Sequence, residues 1–140
     1  MRAATPADAP QIAKLSGQLG YPASADEVRK RLAELAGDAR SLVLVAEAAP
    51  GEVVGWIHVQ ECHLIETDTR AEVCGLVVEE NHRSRGTGRI LMQHAENWAR
   101  SRGCATLVLR SNVLRTRAHA FYERLGYQTI KTQKYFRKTL

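Results

Sequence analysis

The chain has 140 residues, 25% of them charged and 44% hydrophobic, and a net charge of +5. That length suits one domain with a single core, and no apolar stretch is long enough to cross a bilayer. Arg2 has no apolar segment behind it, so no secretory signal is expected, and Cys62, Cys74 and Cys104 lack metal-type spacing and fit reduced cytoplasmic thiols.

Thr5-Pro6-Ala7-Asp8 reads as a helix start: a capping hydroxyl, a proline at the first helical position and an early acid. Ile12, Leu15 and Leu19 then form one apolar face. Ser24-Ala25-Asp26-Glu27 is a capping box, Val28, Leu32 and Leu35 continue the pattern, and Gly37 ends it. Ser41 to Glu47 and Val53 to Gln60 are β-rich and joined by Ala48-Ala49-Pro50-Gly51-Glu52, a hairpin. Residues 61 to 70 are polar, and a further strand is expected from Ala71 to Val78. Gly88 to Arg102 is the clearest helix, with Leu91, Ala95 and Trp98 on one face and Gly103 as a left-handed cap. Ala105 to Arg110 reads as a strand and Thr116 to Leu125 as a helix, followed by a short β-like tail. The order β-α-α-β-β-β-α-β-α-β predicts one α/β domain spanning the chain, with a mixed, mostly antiparallel sheet flanked by about four helices.

Between the strand at Leu76-Val77-Val78 and the following helix lies Arg83-Ser84-Arg85-Gly86-Thr87-Gly88-Arg89. A helix start leaves N–H groups unpaired and carries partial positive charge. Glycine lets a phosphate approach those donors, and arginines add full charges. The arrangement points to a phosphorylated ligand; a plain strand-to-helix turn with solvated arginines is the alternative. Two nucleotide motifs fail on spacing. Leu91 stands where a dinucleotide fingerprint needs its third glycine, and Arg89-Ile90 stands where a P-loop needs Lys-Ser/Thr.

Arg83-x-x-Gly86-x-Gly88 resembles the Arg/Gln-x-x-Gly-x-Gly/Ala signature of the GNAT superfamily of N-acetyltransferases. The strand Leu107 to Arg110 with Ser111-Asn112, then Ala118-His119-Ala120-Phe121-Tyr122-Glu123-Arg124-Leu125-Gly126-Tyr127, is similar to the second half of that family. The likeness extends over nearly the whole chain, including Arg2-Ala3-Ala4-Thr5-x-x-Asp8. It implies acetyl transfer from acetyl-CoA to an amine by direct attack in a ternary complex. By the same likeness, backbone N–H groups from Arg83 through Ser84, Arg85, Gly86, Thr87 and Gly88 to Arg89 cradle the pyrophosphate. Ser84 stands where the family commonly has glycine; its backbone donation survives that change if φ stays negative, and its hydroxyl can add a phosphate contact. The strand Leu76 to Val78 parts from its neighbour and offers backbone groups to the pantetheine arm. Asn112 contacts the cofactor or caps the next helix. Arg115 and Arg117 reach the ribose phosphate or are ordinary surface arginines.

Tyr122 maps onto the family's general acid, although it also lies on an apolar stripe with Phe121 and Leu125. A phenol of pKa about 10 can protonate a departing thiolate. Glu72 is the first candidate for the base, with Glu61, Glu66, Asp68 and His63 as others, each also readable as a surface group. A metal is not expected, because strand alternation puts His58 and Cys62 opposite His63. Residues 1 to 81 hold 7 Lys/Arg and 13 Asp/Glu, a net −6, and residues 82 to 140 hold 13 and 2, a net +11. Such asymmetry suits an anionic cofactor on one half and a cationic amine on the other. Nucleic acid is disfavoured, since no aromatic-and-basic strip accompanies the charge. The expected acceptor is a small cationic amine such as an amino sugar, aminoglycoside or polyamine. The alternatives are a protein N-terminus or lysine and, in another class, a CoA-binding sensor without turnover. The tail resembles family members whose last strand helps form a homodimer.

Overall fold

The computed structural model describes all 140 residues. They form two compact units, Met1–Leu109 and Arg110–Leu140. The first holds strands β1 (Arg2–Ala3), β2 (Ser41–Ala49), β3 (Glu52–Cys62), β4 (Arg70–Val78) and β5 (Leu107–Leu109), with helices α1 (Ala9–Gln18), α2 (Ala25–Ala36) and α3 (Thr87–Ser101). The sheet order is β1-β2-β3-β4-β5, antiparallel except for the parallel β4–β5 pair. The second unit holds α4 (Thr116–Arg124). The α/β class, the mixed sheet and the four helices agree with the sequence-based expectation.

Local signals set the helix starts. Glu27 N–H donates to Ser24 Oγ at 3.1 Å, and Ser24 N–H donates to Glu27 Oε2 at 2.8 Å, satisfying two donors that a helix terminus leaves open. Thr5 to Asp8 instead closes a single 3-10 turn ahead of α1. Asp8 is buried, and its carboxylate accepts from Thr5 N at 2.7 Å and from both Arg2 amino groups at 2.7 and 2.8 Å. Arg2 also reaches Glu47 Oε1 at 2.9 Å, which accepts from Gly51 N at 3.0 Å. One guanidinium thus ties β1, the first turn and the β2–β3 hairpin together.

Removing Asp8 would leave Arg2 without its main partner while Thr5 loses an acceptor. Asp8→Ala should therefore cost about 2 kcal/mol in urea unfolding, less than for a fully enclosed pair because Arg2 is one-third exposed. Arg2 holds the Asp8 carboxyl below its usual range. Its contribution is accordingly complete above the unfolded carboxyl value of about 3.9 and is lost as pH falls through the lower folded value. The gap between wild type and variant should close in that acid window.

Two apolar layers sandwich the sheet. On one face Ala9, Ile12, Leu15, Val28 and Leu32 from α1 and its surroundings and α2 pack with Val45, Val53 and Val77. On the other, α3 buries Leu91, Met92, Ala95 and Ala99. The β-like tail forms no strand: residues 128 to 140 have no ladder partner, and Ile130, Tyr135, Phe136 and Leu140 are exposed. Strand propensity alone does not make a strand, because its backbone groups need a partner.

Candidate active site

β4 carries the first half of the site. Across the β3 ladder, Val73 pairs with Val59 and Gly75 with His58, which leaves Cys74 as an extra residue in a β-bulge. The bulge moves the odd-numbered residues from one sheet face to the other: Val77 lies in the α1/α2 core, while Val73 lies opposite Val59 on the α3 side. On the other edge the parallel ladder with β5 ends at Val73–Leu109. From Gly75 to Val78, β4 pairs only with β3, through Leu76–Ile57, Val77–Trp56 and Val78–Gly55. Its outward backbone edge there has no ladder partner.

The loop after β4 leads into α3 through a left-handed glycine. Gly86 has φ +85° and caps α3, and a Cβ added there would meet no atom within 4 Å. The first helical bond runs from Ile90 N to Gly86 O at 3.0 Å, so the N–H groups of Thr87, Gly88 and Arg89 precede the ladder. Arg85, Gly86 and Arg89 are exposed. The expectation for Ser84 is corrected: its φ is +64°, in the left-handed region. The chain must reverse between the 3-10 turn Glu80–His82 and α3 within four residues, and the glycine common at this place in the family would adopt that φ without a Cβ penalty. The backbone N–H of Arg83 donates to Glu80 O at 3.3 Å. Its Nε donates to Val78 O at 3.1 Å, so this arginine fastens the end of β4 to the loop.

Strand alternation puts Trp56, His58 and Gln60 on the α1/α2 face of β3, opposite Val77, Gly75 and Glu72. A Cβ at Gly75 would lie 2.6 Å from Trp56 Cη2; the glycine is there because the indole lies across β4 at the bulge. Glu72 is 15% exposed and lies 4.0 Å from Arg70 Nη2. Trp56 Nε1, His58 Nε2 and Arg70 Nε are buried without a hydrogen-bond partner. Glu61, an alternative candidate base, faces the other way and serves a structural purpose. It accepts from Arg102 Nε at 2.7 Å, pairs with His63 Nε2 at 2.6 Å, and is held below the ordinary carboxylate range chiefly by Arg102. Glu66 and Asp68 lie in the exposed connection between β3 and β4.

In the second unit, Asn112 Oδ1 accepts from Leu114 N at 2.9 Å, while its carbonyl accepts from Arg115 N and His119 Nε2. Asn112 therefore shapes the turn, and Arg115 is the residue at the N-cap of α4. Tyr122 packs edge-on to Phe121 at 5.1 Å and Tyr127 at 6.1 Å. Burial raises its phenol above the ordinary value, with Arg115 opposing, so the proton is in place at neutral pH. Strand alternation could have drawn attention to Trp56 and His58, but their burial and lack of partners are tertiary properties.

β4 bulges against β3 at Cys74, its ladder with β5 ends at Val73–Leu109, and a glycine-capped helix with arginines around its start follows it. The pattern described as the Acetyltransferase (GNAT) family matches residues 10–127, and the chain belongs to that family. It is 33% identical to an aminoglycoside N(6')-acetyltransferase type 1 of Stenotrophomonas maltophilia, over 100% of this chain and 93% of that protein. It is 38% identical to an aminoalkylphosphonate N-acetyltransferase of Salmonella typhimurium, over 64% of this chain and 56% of that one. The fold matches AAC(6')-Iy, solved with the bisubstrate analog CoA-S-monomethyl-acetylneamine, with a TM-score of 0.84 at 17% identity, covering 99% and 97% of the two chains. The protein is an acetyl-CoA-dependent N-acetyltransferase. The residues present fit the cosubstrate: the open space at Gly86 admits a phosphate to the donors of Thr87, Gly88 and Arg89.

Proposed function

We propose that the whole chain acts as one acetyltransferase domain whose acceptor is a small cationic amine, in the manner of an aminoglycoside or polyamine. The observation that carries this reading is the pairing of a basic loop, Arg83 to Arg89, with an acidic first half of net −6 that includes Glu72 beside the bulge. The field of such a half draws an ammonium toward the sheet. The full-length likeness to an aminoglycoside N(6')-acetyltransferase supports the same choice.

The cosubstrate supplies an acetyl group already activated as a thioester. Backbone donors from Arg85 to Arg89 hold its pyrophosphate, with Arg83 fixing the loop; Asn112 and Arg115 keep the cosubstrate contacts that the family likeness gives them. The outward edge of Leu76 to Val78 aligns the pantetheine arm, and one N–H there polarises the carbonyl, worth about 3 kcal/mol of barrier. Glu72 supplies the carboxylate that meets the incoming ammonium. Tyr122 gives its proton to the departing thiolate. A second acceptor class, amines that also carry an acidic group, is favoured by the unpartnered Arg70 Nε and by the aminoalkylphosphonate relative. The enzyme works in the cytoplasm as a homodimer, for which the exposed Ile130, Tyr135 and Phe136 offer an apolar surface.

A panel of aminoglycosides, polyamines, aminoalkylphosphonates, neutral amines and peptides, read by thiol release, tests the acceptor class. Turnover is expected with the multiply charged small amines. Turnover confined to neutral amines, or to peptide N-termini and lysines, would overturn the cationic assignment.

A further inference from the structure

We propose that His58 is the group that takes the proton from the acceptor amine. The proposal rests on the acetyl-transfer reading above and adds a residue to it. His58 stands directly across the ladder from Gly75, one residue past the bulge and at the start of the segment where β4 has parted from β5. The opposite residue is a glycine, so β4 itself places no side chain there, and the space above it holds the indole of Trp56. Three of the four buried side-chain polar atoms without a partner lie on this one face of β3 and β4: Trp56 Nε1, His58 Nε2 and Arg70 Nε. Unpartnered buried polar atoms are uncommon in folded chains. Three on one face, beside the parted strand, describe a surface whose partners arrive with a ligand.

The charge environment suits a base. Burial holds the His58 imidazole below its ordinary value of 6.5, and Asp38, in the α2–β2 connection, opposes that. The Asp38 carboxylate is itself occupied by Arg40 N at 2.9 Å and Ser41 Oγ at 2.9 Å. From β4, Glu72 and Arg70 share the face, 4.0 Å from each other, and β2 presents the uncharged Val43 opposite His58. The ring is thus neutral at neutral pH, with a lone pair to accept a proton.

The step balances. The ammonium of the acceptor gives one proton to His58, directly or through one water. Its freed lone pair forms the C–N bond to the acetyl carbon as the C–S bond breaks, and that electron pair leaves on sulfur. Tyr122 protonates the sulfur and recovers a proton from the nascent amide nitrogen through solvent, while His58 returns its own to bulk water. The products are the N-acetyl amine, the free thiol and one proton.

The test is the pH profile of kcat/KM for wild type, His58→Gln and Glu72→Gln, with an amine that the panel shows to be a substrate. Wild type should lose activity on an acidic limb centred below pH 6.5. His58→Gln should lower kcat about 100-fold at neutral pH, change KM for the amine less than about threefold, and lack that limb. Added imidazole should restore part of the turnover of His58→Ala. An unchanged limb in His58→Gln, or its disappearance in Glu72→Gln instead, would overturn the proposal. Should the variants fail to fold, the histidine resonances of the wild-type protein decide: an imidazole that is still protonated at pH 7.5 is not the base. Wild-type protein that neither binds acetyl-CoA nor releases thiol would instead refute the acetyl-transfer reading itself.

Discussion

Tyr122→Phe should reduce kcat about 100-fold while leaving the acetyl-CoA dissociation constant within about twofold. The substitution removes one oxygen and keeps the ring. The edge-on contacts with Phe121 at 5.1 Å and Tyr127 at 6.1 Å survive it, and no intramolecular hydrogen bond is lost. A stability change is therefore not expected, which makes the variant a clean probe of proton donation. Burial keeps the phenol protonated through the neutral range, so the donor stays loaded until well into alkaline pH, where wild-type turnover should fall and the variant's residual rate should not. Steady-state kinetics with the best amine of the panel, paired with calorimetry for the cosubstrate, measures both quantities. Wild-type turnover in Tyr122→Phe would reduce the residue to a packing element of α4.

Gly86→Asp should weaken acetyl-CoA binding by about 100-fold or more, with Gly86→Ala as its control. Alanine at this place meets no atom within 4 Å but must adopt φ +85°, which costs about 1 kcal/mol, or roughly fivefold in affinity. Aspartate bears the same strain and adds a carboxylate beside the N–H groups of Thr87, Gly88 and Arg89. There it would take the donors itself and repel a pyrophosphate. The difference between the two variants isolates charge from backbone geometry. Equal affinities for Gly86→Asp and wild type would move the phosphate site away from the start of α3.

The features legible in the sequence are those fixed by neighbours along the chain. Ser24 and Glu27 cap α2 as their spacing predicts, and the glycine-bearing loop falls between β4 and α3 where the apolar pattern changes period. The bulge at Cys74 was hidden because Ala71, Val73, Gly75 and Val77 read as one uninterrupted alternation, yet the extra residue sends Val73 and Val77 to opposite faces. Serine at position 84 gives no warning of the left-handed step that the surrounding turn imposes. Asn112 has the composition of a helix cap, but the chain runs three residues further before α4 begins. The tail has strand-like residues and no strand, since a ladder partner is a property of the fold. In the sequence His58 stands out only beside Cys62 and His63; its lack of partners emerges only when β3, β4 and the α2–β2 connection meet around it.

Calorimetric titration of the purified protein with acetyl-CoA, beside CoA lacking the ribose phosphate, tests the cosubstrate grip on which the mechanism depends. The predicted result is one site per chain with micromolar affinity for acetyl-CoA and a weaker, still saturable, isotherm for the truncated form, the difference reporting a contact to that phosphate. No heat of binding for either would contradict the account at its base, since neither the edge of β4 nor the loop at Gly86 would then hold the thioester on which the roles proposed for Tyr122 and His58 depend.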